Sequence, residues 1–299
     1  MAVTLAESAK LELDMLRRGV VEIILDESPM MNWLPFIEVE GNAYKYNREN
    51  ALATAGFFAV NGTWTESTTT FTSVTDGLVI LGGDADVDNF IQRTRSSHTD
   101  QRAVQTMLKA KTVARKWEDA LITGDSAVDV NSFDGLRKRF PSTANVQVVT
   151  PAAAGGSLTL SLLDQGIDLV KAGKPDILMM SRRTRRKLKA LLQATNHYVE
   201  SGEEFGKRVM LYDGIPVLTN DFQPDNETAD NGSGSTFSSV YGVKFGEDAV
   251  AGLTNGGLEV IDLGNLESKD ATRVRLRWYV GLAVHRENAV FRINGLNAA

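Results

Sequence analysis

The threonine-rich segment at residues 61–75, NGTWTESTTTFTSVT, most limits what this chain can fold into. Threonine favours strands, but the segment has no Lys or Arg, and Trp64, Phe71 and Val74 are its large apolar side chains. So few apolar groups cannot offset the entropy lost in ordering a separate core. We therefore predict a long, extended, two-stranded loop that packs on another surface.

Composition predicts a globular chain and excludes several classes of site. With 299 residues, of which 42% are hydrophobic, the chain can bury a sizeable core as one domain or two lobes. Its net charge of −6 lacks the basic excess typical of polyanion-binding proteins. The absence of cysteine excludes disulfides, thiolate zinc sites, iron–sulfur clusters and cysteine nucleophiles. The N-terminus lacks the apolar core of a secretory signal, and no segment reaches membrane-span length.

Two amphipathic helices are predicted in the first half of the chain. Residues 1–20 place apolar side chains three or four positions apart, and a helix this short needs a partner surface. The longest predicted helix covers residues 99–122, with a capping box from Ser97 to Asp100 and Gly124 as a left-handed C-cap.

The second half alternates between helices and strands. A Ser161–Asp164 capping box predicts one helix, ending at Gly173, and Ser181 can cap the next. The Asp213-Gly214 pair predicts a hairpin turn. Near the C-terminus, RVRLRWYV alternates apolar residues with arginines 273, 275 and 277, for which Glu259 or Asp262 are the simplest partners.

No catalytic or metal-binding constellation is visible. The three histidines, His98, His197 and His285, lie too far apart for a paired metal site, and none accompanies a nucleophile motif. The loop bearing Asp221, Asp225, Glu227 and Asp230 lacks the spacing of a calcium loop, so a solvated tip is favoured. We predict no catalytic, metal or cofactor-binding residues, and a protein that is not an enzyme.

A basic cluster, SRRTRRKLK, follows Ser181. On a helix these cations can be solvated, can meet acidic groups of a neighbouring subunit, or can contact phosphate backbones. The first two alternatives remain equal, and nucleic acid ranks third. Our candidate subunit-interface residues combine this cluster with large apolar groups on segments that lack a core: Leu5, Leu13, Leu16, Trp64, Phe71, Arg182, Arg183 and Arg186.

Several ordered phrases are similar to those of one known family. They are LGGDADVDNFIQRT, ALITGD, NSFDGLRKRF, PDILMMSRRTRRKLKAL, LYDGIPVLTNDFQP, VYGVKFGEDAVAGLTNGGLEVIDLG and RLRWYVGLAVHRENAVFRING. Together they span most of the chain and resemble the tailed-phage major capsid protein family with the Hong Kong 97 fold.

The resemblance implies an α+β fold with four parts. These are an N-terminal arm (1–35), an extended hairpin called the E-loop (48–76), a peripheral domain (36–47, 77–145 and 262–288) with a spine helix (99–122), and an axial domain (146–261 and 289–299).

The resemblance also implies assembly and partners. Subunits would form pentamers and hexamers of an icosahedral virion capsid around double-stranded DNA, assembled in the host cytoplasm. A separate scaffolding protein and a portal are expected partners, decoration proteins can add to them, and no membrane is involved. Some relatives crosslink through an E-loop lysine, but no lysine lies between Lys45 and Lys109, so we predict no such crosslink.

Two alternatives remain open. One is an encapsulin-like nanocompartment shell, which shares the fold but encloses cargo enzymes. The other is a nucleic-acid-binding protein that uses the helix at residues 182–189.

Overall fold

A computed structural model describes residues 28–95, 101–142, 145–171, 173–194, 200–204, 207–228, 234 and 236–297. The predicted N-terminal helix, with Leu5, Leu13 and Leu16, lies outside these residues. The Ser97–Asp100 capping box and Asp230 also lie outside them.

The described residues form a mixed helix and sheet fold. The strands are β1 (Phe36–Glu38), β2 (Ala43–Ala51), β3 (Thr70–Gly77), β4 (Val79–Asp88), β5 (Val148–Val149), β6 (Gly156–Ser157), β7 (Ile177–Met180), β8 (Glu200–Glu204), β9 (Lys207–Tyr212), β10 (Ile215–Thr219), β11 (Phe237–Val243), β12 (Val250–Asn265), β13 (Ala271–Val284) and β14 (Val290–Asn297). The α-helices are α1 (Asn89–Arg95), α2 (Gln101–Thr123), α3 (Leu136–Arg139), α4 (Leu160–Leu169) and α5 (Arg182–Ala194).

Three sheets organise these strands. One has four strands in the order β1-β12-β13-β4, and the second has eight, in the order β5-β14-β11-β7-β10-β9-β8 with β6 beside β14. The third is the isolated hairpin β2–β3, paired from Ala43 opposite Gly77 to Ala51 opposite Thr70. The two-stranded loop that the threonine-rich sequence predicts is therefore present.

Two hydrophobic cores lie on opposite faces of the eight-stranded sheet. Alternation along β7 separates them: Ile177 and Met179 join the core that includes α2 and the four-stranded sheet, whereas Leu178 and Met180 join the core under α4 and α5. All four side chains are fully buried, as the uninterrupted apolar run of this strand requires.

The long helix α2 packs through its C-terminal half. Ala110, Ala114 and Trp117 are buried there, and the Trp117 ring lies 6.2 Å from that of Trp278 on β13. Met107 and Leu108, which the periodicity places on the buried face, are instead exposed. The apolar stripe therefore continues along the helix beyond the core that covers it.

Gly124 ends α2 for a reason other than the predicted left-handed cap, because its φ lies outside the left-handed region. A Cβ at this position would lie 2.4 Å from the Phe133 carbonyl oxygen and 2.5 Å from that of Ala120. Glycine is required here by close backbone packing.

The predicted N-cap is wrong for helix α4 and right for helix α5. Helix α4 is capped by Thr159, whose Oγ1 accepts from the Leu162 amide at 3.2 Å, so the predicted Ser161 cap is wrong, and the helix ends at Leu169 and not at Gly173. The Ser181 cap of α5 is confirmed, because its Oγ accepts from the Thr184 amide at 3.2 Å. The predicted Asp213-Gly214 turn is confirmed, with φ values of 51° and 76°.

The sequence-based boundary at residue 261 falls inside a single strand. Strand β12 pairs with β13 from Val250 to Asn265, so the chain changes sheets before Val250 and not after Ile261. Two glycines inside β12, Gly256 and Gly257, adopt φ near 70° and introduce a register shift, but they do not end the pairing.

Candidate assembly surface

The hairpin tip, which we define as residues 52–69, joins β2 to β3. Every residue from 52 to 66 is exposed. The Ala53 amide donates to Thr69 Oγ1 at 3.2 Å, and the Thr54 amide donates to Ser67 Oγ at 2.9 Å. Beyond the paired strands, hydroxyl side chains therefore accept hydrogen bonds that backbone carbonyls would accept in a regular hairpin. This is one role of the abundant Ser and Thr in this segment.

Apolar side chains are concentrated on this hairpin. Trp64 is 78% exposed and stacks on Phe58, with ring centroids 4.5 Å apart. Leu52, Phe57 and Val60 are also exposed. On β3, Phe71 is 63% exposed. An exposed apolar cluster on an extended arm is typical of a surface that another molecule covers.

The hairpin base attaches to the body through a polar network. Arg139 of α3 donates to both carboxylate oxygens of Asp76, at 2.7 and 3.3 Å, and to the Leu282 carbonyl oxygen at 2.8 Å. The Tyr46 hydroxyl lies 2.9 Å from Asp76 Oδ2 and 2.8 Å from the Val284 carbonyl oxygen. Burial, followed by the nearby Asp76 carboxylate, raises the pKa of Tyr46, so the hydroxyl remains a donor.

Arg48 adds a second layer to this base. Its Nε donates to the Val284 carbonyl oxygen at 3.1 Å, and its Nη1 donates to Glu287 Oε1 at 2.9 Å. Close by, His285 packs against the rings of Tyr44 and Tyr46, with centroids 5.7 and 4.6 Å away. Desolvation lowers the pKa of His285, which keeps the imidazole neutral near pH 7.

The arginine row on β13 forms a ladder of ion pairs. Arg275 Nε donates to Asp84 Oδ1 at 2.7 Å, and Arg273 Nε donates to Asp86 Oδ1 at 2.6 Å. These hydrogen bonds hold the pKa of both carboxyls below their usual values. Both aspartates lie on β4, so the sequence analysis missed these partners.

Of the two carboxylates that the sequence analysis proposes as partners for the arginine row, one is confirmed. Glu259 does accept from Arg277 Nε, at 3.0 Å. Asp262 instead pairs with Arg102 of α2.

Two cations of α5 face acids of the same chain. Arg182 Nη2 donates to Asp221 Oδ2 at 2.6 Å, and Arg183 Nε lies 3.8 Å from Asp225 Oδ1. Arg186 is exposed. Asp221 and Asp225 therefore serve as partners for this helix, and the predicted contacts of its arginines with a neighbouring subunit remain predictions.

A comparison with models of protein families identifies the family of this chain. A model of the phage capsid family matches residues 14–295. The chain belongs to this family. A comparison with curated protein sequences returns no match.

Solved structures confirm the capsid fold. The SrpI encapsulin of Synechococcus elongatus PCC 7942 is 17% identical with a TM-score of 0.70, over 90% of this chain and 88% of that one. The capsid of a native GTA particle is 17% identical with a TM-score of 0.68, over 90% of both chains. A structure of Microbacterium phage Oxtober96 is 14% identical with a TM-score of 0.64, over 90% of both. The Hong Kong 97-type fold that the sequence resemblance implies is therefore shown.

One carboxylate of this capsid-family chain is not where the sequence predicts. Glu227, assigned above to a solvated tip, is 1% exposed and pairs with Arg292 of β14. Its amide and carbonyl also exchange hydrogen bonds with Phe237 at 2.8 and 3.1 Å, which draws the loop onto the sheet. No pattern near Glu227 in the sequence indicates a partner 65 residues away.

The described part of the capsid-family chain shows neither a metal-binding cluster nor a membrane-spanning helix. Among its residues, no group of three or more His, Asp or Glu side chains could hold a metal ion. No helix within it is long and apolar enough to cross a membrane.

Proposed function

We propose that the chain is a major capsid protein that assembles as pentamers and hexamers into an icosahedral shell around double-stranded DNA, and that it is not an enzyme. The observation that carries this proposal is the hairpin tip, where Phe57, Val60 and Trp64 stand exposed on an arm. Such groups gain most from burial against another subunit.

Burial of the tip would contribute part of the energy of assembly. Burying one large apolar side chain contributes about 1.5–3 kcal/mol, so several of them at each contact give a cooperative drive when the contact repeats around a shell. An arm that docks on a different surface of the next subunit forms a heterologous contact, and rotational symmetry can close such contacts into rings.

The domain assignment follows the sheets. We assign residues 1–35 to the N-terminal arm, 43–77 to the E-loop, 36–42, 78–142 and 250–284 to the peripheral domain with α2 as the spine, and 145–249 and 290–297 to the axial domain. The interface roles of Leu5, Leu13, Leu16, Trp64 and Phe71, and of Arg182, Arg183 and Arg186 on α5, belong to the same proposal.

Partners and place of assembly are also part of it. We expect a separate scaffolding protein, a portal and nonspecific contact with packaged DNA, with assembly in the host cytoplasm and the mature protein in the virion capsid. Decoration proteins are a further class of partner.

A second candidate is an encapsulin-like shell that encloses protein cargo. The likeness to the SrpI encapsulin, with a TM-score of 0.70, supports it, because the same fold serves that complex. The contents of the particle separate the two candidates.

The test is electron microscopy of the chain expressed alone and with a candidate scaffold, followed by absorbance of purified particles at 260 and 280 nm. Closed shells of uniform curvature that contain nucleic acid support the capsid proposal. Shells that contain protein cargo favour the encapsulin alternative. A stable monomer that never forms rings or shells overturns both.

A further inference from the structure

Arg48 and Asp76 anchor the same hairpin through contacts of different strength. The Asp76–Arg139 pair is inner: the two side chains are 11% and 15% exposed, and Arg139 also donates to backbone carbonyls at Asp134 and Leu282. The Arg48–Glu287 pair is outer at its acidic end, because the Glu287 side chain is 63% exposed and the Arg48 side chain 20%. Breaking the inner pair leaves a buried charge, whereas the outer pair can open into water.

The contacts of β2 meet at one place on the body, whereas Arg139 holds Asp76 of β3 from α3. Arg48 and Tyr46 both reach the carbonyl of Val284, the last residue of β13, and Glu287 lies three residues later. An arm held at its base can rotate about it unless a further contact, farther out along the arm, fixes the angle. Arg48 lies two residues farther along β2 than Tyr46, and it supplies that contact because one guanidinium joins the Val284 carbonyl to the Glu287 carboxylate.

We propose that Arg48 is a positioning residue for assembly: its contacts with Glu287 and the Val284 carbonyl hold the hairpin at one angle to the body. Their loss frees the angle without unfolding the subunit. The proposal rests on the proposed shell function, since the angle has a consequence where the tip contacts another subunit.

The length of the arm makes a small rotation large at the tip. The twelve residue-to-residue steps from Arg48 to Val60 span up to about 40 Å at about 3.3 Å per step, so a rotation of about 10° moves the tip by about 7 Å. Apolar side chains are in contact when their atoms approach within about 4.5 Å. A free hairpin would therefore miss its docking position on a neighbour much of the time.

The absence of cysteine permits a direct measurement of this angle. Val60→Cys in the tip and Val130→Cys on the body, both at exposed positions, accept a pair of spin labels. Pulsed electron paramagnetic resonance of the unassembled subunit then gives the distribution of distances between them. We expect one main distance in the labelled parent, and a broader, shifted distribution after Arg48→Gln or Glu287→Gln.

Two further variants separate positioning from general charge loss. Arg48→Lys keeps the charge and should restore part of the narrow distribution. Arg286→Gln is the matched control, because Arg286 is a neighbouring exposed arginine whose partner, Asp248, lies on the body at 3.5 Å. It should leave the distances unchanged. The midpoint of thermal unfolding should be unchanged in every variant.

Unchanged distances in Arg48→Gln, or an equal change in Arg286→Gln, would overturn the proposal. If Arg48→Gln does not fold, Glu287→Gln decides, because it removes the carboxylate partner and leaves Arg48 on the Val284 carbonyl. The distances are measured before assembly, so a parent chain that forms no shell refutes the proposed function and leaves the hairpin result standing. In assembling chains, Arg48→Gln should give fewer closed shells and a wider spread of diameters.

Discussion

Arg292 and Glu227 form an ion pair inside the subunit, with Nη2 of Arg292 2.9 Å from Oε2 of Glu227 and side chains that are 5% and 1% exposed. Arg292 also donates to the Phe140 carbonyl oxygen at 2.8 Å and to Ser239 Oγ at 3.1 Å. One guanidinium thus joins β14 to β11, to the loop at Glu227 and to the end of α3. Because the pair is desolvated, its members depend strongly on each other.

Arg292→Met is expected to lower the free energy of unfolding by about 3–5 kcal/mol, because it removes the buried partner of the Glu227 carboxylate and leaves Arg137, 43% exposed and 3.7 Å away, as its nearest cation. Denaturant unfolding of the unassembled subunit measures this loss. The double variant Arg292→Met/Glu227→Leu should be more stable than Arg292→Met alone, since it removes the orphaned charge. Equal stability of the single and double variants would show that the two groups are not coupled.

The ladder on β13 makes the stability of the sheet depend on pH in the acid range. Its hydrogen bonds from Arg273 and Arg275 lower the folded-state pKa of Asp86 and Asp84 below the unfolded value of 3.8. Depressed carboxyl pKa values contribute stability above the unfolded pKa, and this contribution is lost only as the pH falls through the lower folded values. The carboxylates should therefore remain ionised in solution at pH values that protonate ordinary aspartates.

Asp86→Asn is expected to lower the denaturation midpoint at pH 7 and to flatten its decline between about pH 4 and the lower folded pKa. High salt should reduce the difference from the parent, because the pairs are partly exposed. Asp248→Asn is the control, since Asp248 pairs with Arg286 at the longer distance of 3.5 Å. If both substitutions have the same effect, the ladder has no special role.

His285 gives the subunit a second dependence on pH, with the same sign but at a higher pH. Burial lowers its pKa below 6.5, while a hydrogen bond with the Ala249 backbone and the charges of Asp248 and Asp76 raise it less, and Arg48 lowers it further. As the pH falls below 6.5, the unfolded chain binds a proton before the folded one does, so stability declines until the pH passes the folded pKa.

His285→Phe keeps a ring between Tyr44 and Tyr46 and removes this titration. The free energy of unfolding, measured at pH 7 and near pH 5, should therefore change less in the variant than in the parent. An imidazole titration by nuclear magnetic resonance gives the pKa directly. A folded pKa at or above the unfolded value would contradict the argument.

The sequence predicted the elements that are determined by residues close together in the chain. The Ser181 cap, the Asp213-Gly214 turn and most of the span of α2 depend on neighbouring residues, and the structure has them all. The hairpin was predictable for a related reason: β propensity without a core leaves a segment exposed whatever the rest of the chain does.

The contacts that the sequence analysis did not predict join segments that lie far apart in the chain. Asp84 and Asp86 face Arg275 and Arg273 because β4 lies beside β13, and only the strand order, which local patterns do not contain, reveals this register. Glu227 looked like a loop carboxylate because its partner is on β14. Glycine is likewise required at position 124 because the chain folds back and brings the Phe133 carbonyl oxygen close to it.

Trp64→Ala tests whether the tip functions between subunits. Within the subunit, Trp64 is 78% exposed and packs on Phe58, so its removal should change the free energy of unfolding by less than about 0.5 kcal/mol. If a neighbouring subunit buries the indole, each contact should lose about 1.5–3 kcal/mol. Every 1.4 kcal/mol is about tenfold in an association constant, so assembly should fail at subunit concentrations that suffice for the parent.

Val128→Ala is the matched control, because Val128 is similarly exposed, at 86%, but lies on the body, in the loop after α2. Light scattering during assembly and the thermal midpoint of free subunits are measured for both variants. Loss of assembly in Trp64→Ala alone, with unchanged midpoints, locates the contact at the tip. Normal assembly and shell stability in Trp64→Ala would remove Trp64 from the interface, and a lowered midpoint would place its role within the subunit.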